Sequence, residues 1–488
     1  MKWKLHKLVS KEFLFHRADI IKYQLICFLI TIMMPSAAKN TENNIDIIPS
    51  YRYRITLKDK KKCNFSIKHP EKFLSQKALE RRQRQHISID STDLPVSIKY
   101  IKGIEKYGVK VIHTSKWNNT VCVSCIDTMT IMKIARLPYV IGVQRVAYYP
   151  NNIKHEDVKR HELLNEVKYL INKDCIGEYG YGYHQINLLN GIPLHKMGFR
   201  GEGMTIAILD AGYTNMDIIP MTKTIKIAGT HDFVNSYEDI FSTSDHGLKV
   251  VSCMGTNVPN VMIGTAPEAN FWLLRTEDSA YEHLAEEDNW AAAVEFADSI
   301  GADVINSSLG YVTFDDSLTN VHYNDLNGTS HLMSREASMI ADKGMILCNS
   351  IGNKGNKEWK RLIIPSDADN ILSVGSVDSI GYVSKFSSRN IMHITHKIKP
   401  DVMAMGEHVS VVISNGEIFN SNGTSLSSPI LCGLVACLWQ ALPNCSAKEI
   451  MDYVRKSGNH YNNPDENYGY GIPDFMKALS IANKKDKE

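Results

Sequence analysis

Short apolar runs alternate with amphipathic stretches along the C-terminal part of the chain. Five short runs are predominantly apolar, which is typical of strands buried on both faces of a parallel sheet: 204–209, 272–274, 304–306, 345–348 and 372–377. Helical periodicity marks 288–299, 334–343 and 426–439, and Gly301 and Gly344 follow two of these as candidate C-caps. The alternation predicts an α/β domain with a doubly wound, mostly parallel sheet.

A different pattern precedes that domain. Alternating polar and apolar positions predict strands at 51–57, 109–112, 120–124 and 140–146, and helices are predicted at 74–85 and 128–135. These elements predict a small α+β unit over residues 39–150. Arg81, Arg82 and Arg84 make the first helix basic, and a charge run of this kind is more often a solvated face than a nucleic-acid contact.

Residues 1–38 have the pattern of an export signal. Basic residues precede an apolar run at 25–34, and Ser36, Ala37 and Ala38 offer small side chains to a signal peptidase. The run is shorter than the roughly 20 residues that span a bilayer. We therefore expect a secreted, periplasmic or cell-surface protein. An uncleaved membrane anchor and a buried N-terminal helix are the alternatives, and only the anchor would contact a membrane.

Composition narrows the function only slightly. The chain has 488 residues with a formal net charge of +2, and it shows no basic footprint for nucleic acid. Four of its 10 cysteines lie in runs predicted to be buried, where a thiol acts as a small apolar group: Cys253, Cys348, Cys432 and Cys437. Cys122 and Cys125 have metal-site spacing, but no second pair follows, so we predict a strand there.

Three short motifs of small residues carry the candidate chemistry. Asp210 ends the apolar run 204–209, while His246 and Ser425 each open a helix-like segment. A serine hydroxyl needs an imidazole to take its proton, and the imidazole needs a carboxylate to fix its tautomer. A serine at a helix start also has a backbone N–H free to donate to an oxyanion. The set predicts nucleophilic catalysis, and the order Asp, His, Ser is one known triad order.

Asn353 is a candidate for the second oxyanion donor. It follows the predicted strand 345–348 and stands between Gly352 and Gly355, which permit a tight turn that presents its amide. A surface turn containing an asparagine is the alternative interpretation.

These motifs together resemble the subtilisin-like serine peptidases, or subtilases. The run GTSLSSP at 423–429 resembles the family's serine motif almost position for position, and similar segments lie at 303–310, 352–355, 386–388, 399–402 and 469–471. The resemblance implies a subtilisin-like fold with Ser425 as the nucleophile and His246 as the general base. It also implies that Asp210 orients the imidazole and that Asn353 donates to the oxyanion.

Three positions depart from the family pattern. Ala211 stands where the family usually has Ser or Thr, so a hydroxyl contact to Asp210 is missing. Leu248 replaces a usual Thr and Ser252 a usual Gly, which changes the packing beneath the imidazole.

The resemblance also assigns the domains. Residues 39–150 would form a prodomain that packs on the peptidase and inhibits it until it is cut, with a permanent accessory domain as the alternative. Residues 151–175 would be a linker with the processing site, 176–480 the peptidase domain and 481–488 a charged tail.

Substrate contacts follow from the same resemblance, by addition of an extended polypeptide strand. Residues 283–285 would form one edge, and Ile363 would lie near the base of the pocket for the residue before the cut, which points to an apolar or unbranched side chain there. Acidic residues at 286–288 could favour basic groups further out, although an acidic helix start is the simpler explanation. The other predicted contacts are Ser308, Leu309 and Gly310 on the opposite edge and Ser350, Ile351 and Gly352 in the pocket wall.

No motif requires a cofactor. Subtilases often hold structural calcium, but the acidic residues form no recognisable ligand loop, so calcium is possible without support from a motif. Two alternative functions stay open. An exported pseudo-peptidase would bind polypeptide without cleaving it. An esterase could use the same triad, although the Gly-x-Ser-x-Gly elbow of the α/β-hydrolases is missing.

Overall fold

Two large sheets organise residues 50–150, 175–390 and 397–485, the part of the chain that the computed structural model describes. The strands are β1 (Ser50–Leu57), β2 (Lys110–Ser115), β3 (Thr120–Cys125), β4 (Val140–Tyr149), β5 (Thr205–Asp210), β6 (Lys226–Asp232), β7 (Asn257–Val258), β8 (Met262–Ile263), β9 (Asn270–Arg275), β10 (Val304–Ser307), β11 (Ile346–Ser350), β12 (Leu372–Val377), β13 (Val402–Met405), β14 (Val409–Val412) and β15 (Ile418–Ser421). The α-helices are α1 (Gln76–Arg84), α2 (Ile98–Glu105), α3 (Thr128–Ile134), α4 (Tyr183–Asn187), α5 (Gly191–Lys196), α6 (His246–Gly255), α7 (Glu286–Ile300), α8 (Leu332–Met339), α9 (Thr424–Ala441), α10 (Ala447–Ser457) and α11 (Phe475–Lys485).

The C-terminal domain is built on a parallel sheet of seven strands, in the order β13-β12-β11-β10-β5-β9-β6. Alternate side chains of β5 enter two separate cores. Ile206 and Ile208 pack with α6 and α9 on one face, while Ala207 and Leu209 pack with α7 and α8 on the other. Helices therefore cover both faces, and the predicted doubly wound α/β fold is confirmed.

The N-terminal domain, residues 50–150, is an antiparallel sheet of four strands in the order β2-β3-β1-β4. One face has its own core, where Ile55 and Val121 pack with Ile104 and Ile134 from α2 and α3. The opposite face contributes Cys122, and the turn between β2 and β3 contributes Trp117, to the core that holds α7 and α8. The sheet is thus packed on the C-terminal domain. Helix α2 was not predicted, because its apolar positions are few and alternate with lysines.

Several predicted element ends are confirmed, and one is wrong. Gly301 and Gly344 follow their helices with φ of 85° and 83°, the left-handed conformation expected of a C-cap. Helix α11 runs through 481–485, and Ala482 is buried, so most of the predicted charged tail is helical.

The predicted export signal, 1–38, and linker residues 151–174 lie outside the described residues.

Two of the three arginines of helix α1 do not lie on a solvated face, which corrects the sequence-based interpretation for them, whereas Arg84 is exposed. Arg81 and Arg82 are each 1% exposed, and both contact the fully buried carboxylate of Asp298 in α7, at 2.6 and 2.8 Å. Lys116 Nζ lies 2.9 Å from the same carboxylate. Burial alone would raise the pKa of Asp298, but the charges of Lys116, Arg82 and Arg81 lower it well below its ordinary value. The arginines therefore join the two domains.

Candidate active site

Asp210 and His246 meet at the carboxyl end of the parallel sheet. Asp210 is the last residue of β5 and fully buried, and His246 is the first residue of α6. His246 Nδ1 lies 2.7 Å from Asp210 Oδ1. The backbone N–H of Gly247 donates to Gly212 O at 2.9 Å, and a Cβ atom at Gly247 would lie 2.5 Å from that oxygen. Glycine therefore lets the two motifs approach, and the contact leaves His246 Nε2 available in the cleft.

Electrostatics favour the charged form of this imidazole. Burial lowers the pKa of His246, but the charge of Asp210 and its hydrogen bond raise it further, to about 9 in total. Glu277 adds to the rise. A general base acts in its neutral form, so the arrangement favours activity at alkaline pH.

The departures from the family pattern have visible consequences. Asp210 Oδ2 is buried and has no hydrogen-bond partner among the described residues, as expected where Ala211 replaces a hydroxyl. Leu248 is fully buried in the core. Ser252 Oγ donates to Lys249 O at 2.7 Å and accepts from Val412 N at 3.0 Å. The two packing changes beneath the imidazole are thus accommodated without an unpaired polar group at either position.

Ser425 and Asn353 face each other at the start of α9. The helix begins at Thr424, so the backbone N–H of Ser425 lies in its first turn, where intrahelical acceptors are missing. Thr424 donates from N and Oγ1 to Asn353 Oδ1, at 2.9 and 3.0 Å, which leaves the amide Nδ2 to donate elsewhere. A Cβ atom added to Gly423 would lie 2.9 Å from Ser425 Oγ, 3.6 Å from Asn353 Nδ2 and 3.7 Å from Ser425 N. These three polar atoms surround one small space.

A single cleft of about 810 Å³ brings His246, Asn353 and Ser425 together. Of the predicted substrate contacts, six line it: Ser308, Leu309, Gly310, Ser350, Gly352 and Ile363. Ser308 Oγ donates to the carbonyl of Ser425 at 2.7 Å. Ile351 does not line the cleft, which corrects its prediction, because its side chain points into the core and is fully buried.

Sequence reasoning missed several cleft residues. Tyr323 and Trp359 line the cleft, with ring centroids 4.5 Å apart, and no motif marks either residue. Glu277 lies beside His246, and burial with repulsion from Asp210 raises its pKa to about 8. Its position two residues after β9 was the available signal, because side chains that follow parallel strands gather at the carboxyl edge of the sheet.

The acidic start of α7 binds the N-terminal domain. Arg54 Nη2 lies 2.7 Å from Asp288 Oδ2 and 3.2 Å from Glu287 Oε2. Both carboxylates are buried. Glu287 and Asp288 therefore do bind a basic group, but that group is Arg54 of the N-terminal domain and lies in the domain interface. This contact is no evidence that the two carboxylates bind basic groups of a substrate.

The predicted edge at 283–285 is already paired. The backbone N–H of Ala285 donates to Val146 O of β4 at 3.0 Å. Three residues further on, the ring of Tyr149 packs edge-on against Tyr281 and His283, with centroids 5.3 and 4.9 Å apart. The last described residues of the N-terminal domain thus lie along this edge.

Within the described ranges, no group of three or more His, Cys, Asp or Glu side chains is arranged to hold a metal ion.

Comparisons with known proteins match two parts of the chain to family models. Residues 52–162 match the family model of the peptidase S8 propeptide domain of Bacteroidota, and residues 201–471 match that of the subtilase family. Subtilisin E of Bacillus subtilis is 24% identical over 371 residues, covering 72% of this chain and 88% of that protein. Serine protease AprX of the same organism is 24% identical over 302 residues, covering 56% and 65%.

A solved structure shares the fold over most of the chain. It is the epidermin leader peptide processing serine protease of Staphylococcus aureus, with a TM-score of 0.60 and 17% identity, covering 89% of this chain and all of that one. The subtilase match spans more than half of the chain and gives no support to a scaffold that only binds polypeptide. The chain therefore belongs to the subtilase family and is a serine endopeptidase preceded by a propeptide domain.

Proposed function

We propose that the protein is an exported endopeptidase that cleaves polypeptides through an acyl-enzyme on Ser425. One observation carries the proposal: Ser425 Oγ, Ser425 N and Asn353 Nδ2 surround a single point beside Gly423. A nucleophile and two N–H donors that converge in this way fit a carbonyl carbon and the oxygen that becomes an oxyanion. His246 is the general base, and its 2.7 Å contact with Asp210 orients the imidazole.

Acylation follows from these positions. His246 Nε2 takes the proton of Ser425 Oγ as that oxygen attacks the substrate carbonyl, and Asp210 stabilises the resulting imidazolium. The carbonyl oxygen becomes negatively charged and accepts hydrogen bonds from Asn353 Nδ2 and Ser425 N. The C–N bond then breaks, and His246 returns the proton to the leaving amine.

Deacylation repeats the sequence with water. His246 takes a proton from a water molecule that attacks the ester carbonyl, and the same two donors stabilise the second oxyanion. The C–O bond to Ser425 breaks, Oγ recovers its proton from the imidazolium, and the carboxylic acid product leaves.

The N-terminal domain acts as an intramolecular inhibitor in this proposal. Glu295 of α7 accepts hydrogen bonds from Ser115 Oγ, Lys116 N and Trp117 N, at 2.8, 2.7 and 2.9 Å. With the pairing of Val146 to Ala285, these contacts bring the end of β4 beside the segment 283–285, which is predicted to form a substrate edge. The following segment, 151–175, would contain the processing site. The export signal at 1–38 would place the mature enzyme outside the cytoplasm.

Labelling with a small serine-directed phosphonate tests the nucleophile. We expect one label on Ser425 of the mature protein and none on Ser425→Ala. Ser427→Ala is the matched control, because Ser427 lies two residues further along the same helix and is fully buried. A label that persists in Ser425→Ala would overturn the assignment. Peptide and ester substrates, compared on the same samples, separate an endopeptidase from an esterase.

Maturation tests the inhibitor. Intramolecular cleavage benefits from a high effective molarity, so the wild-type chain should cut itself within 151–175. Ser425→Ala should accumulate as an uncut precursor in a host without other exported proteases, as judged by gel mobility and N-terminal sequencing. The released fragment, added back, should inhibit the mature enzyme. A full-length wild type that is fully active would instead make residues 50–150 a permanent accessory domain.

A further inference from the structure

A slot between two glycine-containing segments opens beside Ser425. One wall contains Gly310, and the other contains Gly352. Each wall is tied to the first turn of α9: Ser308 Oγ donates to Ser425 O at 2.7 Å, and Gly352 N donates to Thr424 Oγ1 at 3.2 Å. The slot therefore adjoins the serine hydroxyl.

The side chain of Ile363 lies inside this slot. A Cβ atom added to Gly310 would lie 2.8 Å from Ile363 Cδ1 and Cγ1. One added to Gly352 would lie 3.0 Å from Cδ1, Cγ1 and Cγ2 of the same isoleucine. Both distances are shorter than ordinary carbon contacts of about 3.5–4.0 Å. Ile363 thus touches both walls and fills the space between them.

The backbone around Ile363 is held from two sides. Ile363 N donates to Ile351 O at 3.2 Å. The next residue, Ile364, exchanges hydrogen bonds with Tyr311 at 3.0 and 3.2 Å. The side chain is only 6% exposed, and its β-branching restricts rotation about χ1. The hydrogen bonds fix the position of the Ile363 backbone, so a substrate can move the side chain only by forcing it out of its preferred rotamer.

We propose that Ile363 restricts the residue on the acyl side of the scissile bond to glycine, alanine or serine. The inference rests on the proposed function, which fixes the substrate carbonyl between Ser425 Oγ and Asn353 Nδ2. A strand paired along 308–310 then directs the side chain of that residue between the two walls. A side chain that extends well beyond Cβ would overlap Ile363, and overpacking of this kind is strongly unfavourable. The substrate class is thus narrower than the apolar or unbranched residues expected from the sequence.

The chain's own linker bears on this inference. Residues 151–174 contain no glycine, alanine or serine. The slot therefore makes this segment a poor substrate when it belongs to another molecule, and only the effective molarity of an intramolecular cut offsets the misfit. We expect the mature enzyme to cut the linker of added Ser425→Ala precursor slowly, compared with a precursor that carries an alanine before the cut.

Peptides that differ only at the residue before the cut test the proposal. The wild-type mature enzyme should show a kcat/KM for Ala about 100-fold above that for Phe or Leu, within the roughly 10–200-fold range of pocket discrimination. Ile363→Ala should raise kcat/KM for Phe and Leu by about 10–100-fold and leave Ala within about threefold. Ile363→Val removes only Cδ1 and should give a shift of the same sign, so the test survives if the alanine variant does not fold.

Ile351→Val is the matched control, because it loses the same methyl group from a neighbouring isoleucine that faces the core. Its preference for Ala over Phe should equal that of the wild type. Equal cleavage of Ala and Phe peptides by the wild type overturns the proposal, as does a folded Ile363→Val enzyme with unchanged preference. The small phosphonate has no side chain to enter the slot, so failed labelling of Ser425 refutes the proposed function, whereas labelling with equal cleavage refutes only the role of Ile363.

Discussion

The catalytic cleft and the domain interface use charge in opposite ways. In the cleft, the buried carboxylate of Asp210 contacts one imidazole, and the proposed oxyanion donors, Ser425 N and Asn353 Nδ2, are neutral. At the interface, the buried carboxylate of Asp298 contacts Arg81, Arg82 and Lys116. A site that must stabilise a new charge benefits from oriented neutral dipoles. An interface between two domains can instead depend on charges that are already present. Removing one of these charges leaves its partner buried and unpaired, which is unfavourable.

The largest expected effect comes from substitutions that remove catalytic groups in the cleft and leave the domain interface intact. Ser425→Ala and His246→Ala should each lower kcat by roughly 10⁴–10⁶-fold, and the double variant should lose little more, because the two side chains act as one unit. Both variants should accumulate as uncut precursors, and the two precursors should unfold at similar temperatures. Turnover of a peptide substrate measures the loss. A single variant that keeps more than about a hundredth of the activity contradicts the triad.

The second-largest effect is expected from a substitution that weakens the domain interface and leaves the catalytic groups of the cleft intact. Asp298→Asn leaves Arg81, Arg82 and Lys116 without a full countercharge, and breaking such a buried set typically costs about 3–5 kcal/mol, or roughly 10²–10⁴-fold in affinity. Inhibition of the mature Asp298→Asn enzyme by the N-terminal fragment should weaken by this factor, while its turnover stays normal.

Asp342→Asn is the control for that experiment. Asp342 pairs with Lys448 on the surface, and its side chain is 58% exposed. Exposed pairs contribute about 0–1 kcal/mol, so inhibition should hardly change. An equal loss in both variants would mean that the charge cluster does not hold the domains together.

This difference explains what the sequence could predict. Asp210, His246 and Ser425 sit in motifs whose small residues are needed for close approach, so the motif itself marks the site. The partners at the interface carry no such mark, because Arg81 and Asp298 are 217 positions apart in the chain. A basic run looks the same whether it faces water or a buried carboxylate. Burial of the arginines depends on tertiary packing, which the local pattern of α1 does not encode.

The same reasoning applies to residues near the cleft. Ile351 and Ile363 were both predicted beside the substrate pocket, yet only Ile363 enters the slot and Ile351 faces the core. The direction in which each of these side chains points depends on how its backbone segment is hydrogen-bonded to neighbouring segments. Glu277 was missed because a glutamate at a strand end belongs to no motif, although the strand ends all meet at one edge.

A third prediction sharpens the role of neutral donors. Asn353→Ala should lower kcat by about 10²–10³-fold with KM nearly unchanged, because the amide meets the oxyanion only in the transition state. Thr424→Val keeps the backbone donor to Asn353 Oδ1 and loses only the hydroxyl, so about tenfold is expected from the loss of about 1–1.5 kcal/mol. Steady-state kinetics separate the parameters. A defect mainly in KM would place Asn353 in substrate binding instead.

The smallest expected effect tests the charged groups that the cleft does retain. The pKa of His246 is about 9, and Glu277 is among the negative charges that raise it. Since kcat/KM reports the base of the free enzyme, activity should rise with pH up to that value. Glu277 has a raised pKa of about 8, so it becomes charged within the same range and delays loss of the imidazole proton. Glu277→Gln removes this charge and lowers the His246 pKa, which shifts the rising limb of the profile to lower pH.

The matched control for Glu277→Gln is Glu282→Gln. Glu282 raises the pKa of Glu277 and is not among the charges that act most strongly on His246. Its removal lets Glu277 ionise at lower pH, so the rising limb should stay in place or move slightly toward higher pH, opposite to Glu277→Gln. Profiles of kcat/KM between pH 6 and 10 for both variants, on one peptide, compare the two directions. A limb that stays in place in Glu277→Gln, or moves to higher pH, would show that Asp210 alone sets the charge state of the imidazole and that the carboxylates along the cleft serve another purpose.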